Sequence, residues 1–118
     1  MKQDGVTNRV LAQEPAYKAV LIAVALRDSL VSEMHEGTDD IYYVLEGNRK
    51  ITVGGALVAA RPNGPGEWLG GNIEGGKEFF LQSGDVLHIP RGTPHMLHLG
   101  HEWFSYLIVK VYGVPNAE

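Results

Sequence analysis

The chain has 118 residues, a net charge of −4 and a pI near 5.7, with 44 per cent apolar and 20 per cent charged residues. That length suits one domain with a modest core, residues 1–118 taken together, and the mild acidity offers no surface for a nucleic acid partner. Cysteine is absent, which excludes disulfide staples, thiolate metal sites and a cysteine nucleophile.

Residues Met1 to Ala12 read as an arm or an edge strand, because the ends of domains are often loosely held. Ala16–Leu26 is the first clear strand and carries the longest apolar run, AVLIAVAL, which is too short to cross a bilayer. It follows Asp4, Glu14 and Pro15 rather than a basic start, so neither a signal peptide nor membrane contact is expected, and a cytoplasmic location is the default. Further β-rich segments follow at Leu30–His35, Ile41–Gly47, Lys50–Gly55, Ala56–Ala60, Glu78–Gln82, Asp85–Pro90, His95–Leu99 and Trp103–Gly113. Fifteen glycines and six prolines separate them, and no stretch shows the 3.6-residue period of a helix. The expected class is all-β, a sandwich or barrel. Arg61–Gly76 breaks the scheme: half of its sixteen residues are Gly or Pro. It reads as a long loop, and Trp68, Leu69 and Ile73 are apolar enough to pack it over a barrel mouth or a partner subunit.

Histidines and carboxylates carry the chemical information. Glu33 and His35 are two apart on an expected strand, so both side chains lie on one face of the sheet. Gly37 then turns the chain, and spacing leaves open whether Asp39 or Asp40 faces inward. Far downstream, PRGTPH ends in His95, from which Leu97 and Leu99 share a face while His98 points away. Glu33, His35, one aspartate and His95 can thus meet in one interior, and two imidazoles with carboxylates suit a divalent cation with open positions. Glu33 is also a candidate general base. Tyr42 and Tyr43 occupy opposite faces, so one enters the barrel, either to fill core or to orient a substrate through its hydroxyl; Tyr42 is the candidate. His88 reads as a half-exposed strand residue, His98 and His101 as solvated, and Trp68 and Trp103 as packing or dimer residues.

GDVLHIPRGTPH, from Gly84 to His95, resembles the second sequence motif of the cupins: a glycine, five residues, then P-x-G-x-x-H through Pro90, Gly92 and His95. The motif's later asparagine position is Leu99 here. The first cupin motif is recognisable in altered form, with Glu33 in place of the first histidine, His35 as the second, Asp40 in place of the glutamate, and IYYVLEG supplying the strand that ends at Gly47. The resemblance spans Leu30 to Leu99. It implies a double-stranded β-helix of jelly-roll type, often a homodimer, with a divalent metal (Fe, Mn, Zn or Ni) held here by His35, Asp40 and His95 with Glu33. The implied function is binding of a small polar organic molecule in the barrel by a metal-dependent enzyme of isomerase, lyase, cyclase or dioxygenase type. Two alternatives remain open: a metal-free acid/base enzyme, in which crowding raises the pKa of Glu33 or Asp40, and a non-catalytic ligand-binding or sensing cupin.

Overall fold

A computed structural model of the chain describes residues 6–24, 32–98 and 103–112. Among these, every helix or strand is a strand: β1 (Val6–Gln13), β2 (Tyr17–Val24), β3 (Glu33–His35), β4 (Thr38–Glu46), β5 (Asn48–Val53), β6 (Ala56–Val58), β7 (Arg61–Pro62), β8 (Glu67–Leu69), β9 (Asn72–Glu74), β10 (Lys77–Gln82), β11 (Val86–Ile89), β12 (His95–Leu97) and β13 (Phe104–Tyr112). The expected strand residues Ala25, Leu26, Leu30, Val31, Leu99 and Gly113 lie outside the described residues, as do Met1–Gly5 and His101. No helix among the described residues is long and apolar enough to cross a membrane.

The strands pair antiparallel into a five-stranded sheet, β1-β2-β13-β4-β11, a six-stranded sheet, β10-β5-β12-β3-β8-β7, and a small β6-β9 pair. The arm expected at the start is thus, over β1, an edge strand. Two-residue alternation sets the core. In β4, Asp40, Tyr42 and Val44 are buried while Tyr43 and Leu45 face out, and in β13 Phe104, Tyr106 and Ile108 are buried. These meet Ile51, Leu81 and Leu97 of the six-stranded sheet in one cluster. Each such buried aliphatic or aromatic side chain contributes about 1.5–3 kcal/mol.

Arg61–Gly76 is not the loop expected from its composition. Glycines 64, 66, 70, 71 and 75 all take positive φ, so tight turns join three two- or three-residue strands where a packed loop was expected. β8 lies directly beside β3, so β8 and β7 extend the six-stranded sheet, while β9 pairs with β6.

Two glycines are required by local geometry. Gly47 turns β4 into β5 at φ 83°, where a Cβ would lie 2.1 Å from the carbonyl oxygen of Trp103. Gly92, at φ 77°, sits third in the turn closed by the Thr93 N–H donating to the Pro90 carbonyl at 3.2 Å. The punctuation of PRGTPH is therefore one tight reversal that ends β11 and starts β12.

Candidate metal centre

Strand register brings the site together. β3 lies between β12 and β8, so His95 stands opposite Glu33 and Glu67 stands opposite His35, all on the face that Glu33 and His35 share. Asp40 comes from the other sheet, across the interior, and its β13 partner in register is Lys110. The open question between the two aspartates is resolved by burial. Asp40 is 1 per cent exposed and points in. Asp39 points out, where it accepts from Arg91 Nε at 2.7 Å and lies 2.9 Å from His88 Nε2.

His35 Nε2 lies 3.2 Å from Glu33 Oε1 and 3.5 Å from Asp40 Oδ2. His95 Nε2 lies 3.9 Å from each of the same two oxygens, and the imidazole centroids are 5.1 Å apart. Each ring's other nitrogen is held. His35 Nδ1 is 2.6 Å from Glu67 Oε1, and His95 Nδ1 is 3.1 Å from the Thr93 carbonyl oxygen. Both partners are acceptors, so Nδ1 carries the proton in each neutral ring and Nε2 presents a lone pair to the centre. Both buried Nε2 atoms lack a hydrogen-bond partner among the described residues. With both rings neutral, two nitrogen lone pairs thus face two carboxylate oxygens with no donor between them.

That donor set fits a cation. Ligand atoms of Glu33, His35 and His95 all lie within 4.8 Å of one another, a spacing that metal–ligand bonds of about 2.0–2.2 Å can span with modest adjustment. The Glu67–His35 contact is the carboxylate–imidazole arrangement that fixes a metal-binding tautomer. Lys110 Nζ approaches both Asp40 carboxylate oxygens, at 3.1 and 3.4 Å.

The electrostatics divide the groups. Burial pushes Glu33 upward, but the contact with His35 and the charges of His95, His35 and Lys110 outweigh it, leaving the carboxyl below its ordinary value. The metal-free alternative expected a raised carboxyl at Glu33 or Asp40; at Glu33 the direction is downward. Burial also works against protonated His35, yet Glu33, Asp40 and Glu67 outweigh it and raise its pKa. At His95 burial wins, and its pKa falls.

No protein-family model and no curated protein matches this sequence. Solved structures do match it. The cupin domain of Cnp3 from Schizosaccharomyces pombe is 15 per cent identical with a TM-score of 0.68, over 91 per cent of this chain and 61 per cent of that one. The chain has a cupin fold. The same cupin architecture relates it to a predicted oxalate decarboxylase from Thermotoga maritima, at 19 per cent identity and a TM-score of 0.66, covering 91 per cent of this chain and 80 per cent of that one. It also resembles the DMSP lyase DddQ from Ruegeria pomeroyi, at 17 per cent identity and a TM-score of 0.68, covering 95 per cent of this chain and 49 per cent of that one.

On this cupin scaffold Glu33, His35, Asp40 and His95 converge, where spacing suggested Glu33, His35, His95 and one of two aspartates. Tyr42 is the inward tyrosine, 4 per cent exposed, stacked at 4.7 Å on Tyr106 and edge-on to His95, while Tyr43 is exposed. His88 is exposed and paired with Asp39. His98 departs from expectation: it is half-buried, with Nε2 2.6 Å from Thr52 Oγ1, because β12 packs against β5 and brings the hydroxyl to it. Sequence reasoning missed Glu67 and Lys110. Strand alternation through Phe104, Tyr106 and Ile108 puts Lys110 on the inward face, a signal that was available; Glu67 had none, since its segment read as loop.

Proposed function

We propose that this cupin binds a small polar organic molecule in its barrel, beside a divalent cation held by Glu33, His35 and His95 with the Asp40 carboxylate next to them, and that it is an enzyme of this kind. The observation that carries the reading is the pair of buried, partnerless Nε2 atoms facing carboxylate oxygens. That arrangement favours a positive charge at the centre, supplied by a cation or, in its absence, by a proton that His35 shares with Glu33. When bound, the cation would supply a Lewis acid for a carbonyl or carboxylate oxygen. The chain's own residues set the approach. Asp40 and His95 are buried, whereas the Glu33 and Glu67 side chains are 40 and 36 per cent exposed, so a substrate enters on the glutamate side. Tyr42 and Tyr106, both buried, pack on each other, with Tyr42 edge-on to His95.

The lyase and the predicted decarboxylase among the similar structures support small-molecule chemistry on this scaffold without choosing a reaction. A metal-free reading with Glu33 as a raised-pKa base is disfavoured by the downward shift of that group. The reading also includes a second copy of the chain, for which exposed Tyr43, Leu45 and Val86 on the outer face of the five-stranded sheet offer an apolar surface. The test is elemental analysis of untagged protein alongside His35→Ala and His95→Ala. Near-stoichiometric cation in the wild type and its loss in both variants is expected. Equal cation content in all three would end the proposal.

A further inference from the structure

The geometry points to Asp40 acting as the counter-ion of Lys110 and not as a metal ligand, so that Glu33, His35 and His95 alone hold the cation. This rests on the metal-dependent reading above and sharpens it.

Three observations carry the inference. First, donor atoms of Glu33, His35 and His95 lie mutually within 4.8 Å and form a ligand set complete without Asp40, whose Oδ2 stands 3.5 Å from His35 Nε2 and 3.9 Å from His95 Nε2. Second, Lys110 Nζ lies within 3.4 Å of both Asp40 oxygens, closer than any imidazole nitrogen comes to that carboxylate. Third, Asp40 and Lys110 are register partners on adjacent strands, β4 and β13, so the backbone ladder itself fixes their pairing. Asp40 is 1 per cent exposed, and an ammonium group already neutralises it. A divalent ion drawing on the same oxygens would have to displace that ammonium or sit beside it, and like-charge repulsion opposes the second arrangement.

Two imidazoles and one carboxylate form the facial set that leaves a six-coordinate ion about three positions for water or substrate, room for a ligand that chelates through two oxygens. A fourth protein ligand would take one of these positions. Asp40 then works at one remove: it neutralises the Lys110 ammonium, whose charge reaches Glu33 and His35, and stands beside His35.

The experiment is competition titration of Mn(II) and Co(II) into purified, chelator-stripped wild type, Asp40→Asn, Lys110→Gln, the Asp40→Asn/Lys110→Gln double variant and His95→Ala. Asp40→Asn leaves the ammonium unbalanced and should weaken binding about tenfold, the lower range for residues behind the ligands. The double variant, which removes both charges, should return to within about threefold of wild type, with an unchanged Co(II) visible spectrum, while His95→Ala loses binding by more than about a hundredfold. If the double variant binds as weakly as Asp40→Asn, or its Co(II) spectrum changes, Asp40 is a ligand and the inference is overturned. Should Asp40→Asn misfold with its lysine stranded, the charge-neutral double variant still gives the answer. Wild type that binds neither ion would overturn the metal-dependent reading itself, an outcome distinct from the failure of the double variant alone.

Discussion

The backbone N–H of Gly92 donates to the carbonyl of His35 at 2.7 Å. The turn that delivers one site imidazole is thereby fastened to the residue that bears the other. Because Gly92 holds φ at 77° with open space around it, Gly92→Ala meets no clash but must pay for a left-handed backbone. The expected cost is about 1–2 kcal/mol, a fall of several degrees in the thermal midpoint by calorimetry, together with weaker metal binding. An unchanged midpoint would show that the turn does not need this conformation.

Glu67 reaches His35 Nδ1 at 2.6 Å and fixes which nitrogen faces the centre. Glu67→Ala should lower metal affinity about 10–100-fold, with Glu67→Gln recovering part of the loss through its amide oxygen. Isothermal titration measures both, and full affinity in the alanine variant would deny Glu67 this role.

In chelator-stripped protein the two imidazoles should titrate on opposite sides of the ordinary histidine value. His35 is raised once Glu33, Asp40 and Glu67 outweigh burial, and His95 is lowered by burial. The signs follow from linkage. His35 contributes stability that is present below about pH 6.5 and lost as pH rises through its folded value; His95 contributes stability present above about pH 6.5 and lost as pH falls through its own. Imidazole proton shifts followed by NMR across pH 4–9 report the two separately. Coincident titrations would contradict the burial and contacts described.

Asp39 is held down to about 2 by its hydrogen bond from Arg91 and by His88. Its stabilising effect is present above about pH 4 and is lost as the pH falls towards 2. Since Arg91 and His88 are 42 and 54 per cent exposed, solvent screening keeps that effect within about 1 kcal/mol. Asp39→Asn should therefore flatten the acid limb of stability against pH slightly, as measured by urea unfolding at pH 2.5 and pH 5. It should leave the pH 7 to pH 8 difference unchanged.

Much of this was legible in the chain. The alternation of Glu33 with His35, and the Pro90–Gly92–His95 punctuation, are local signals, and local backbone geometry turns them directly into side-chain direction. The assignment of strand to Arg61–Gly76 was not legible. Short strands joined by positive-φ glycines have too few residues to show a period, and β8 is defined by its pairing with β3 and β7.

Composition and spacing alone determined an all-β protein, an inward Glu33–His35 pair and a tight reversal ahead of His95, since each depends on residues a few positions apart. Register between distant strands decided the rest: that Asp40 rather than Asp39 points in, that Glu67 backs His35, and that Lys110 stands against Asp40. No local rule reports such pairings, because they are fixed by which strands find each other when apolar faces close on a shared core.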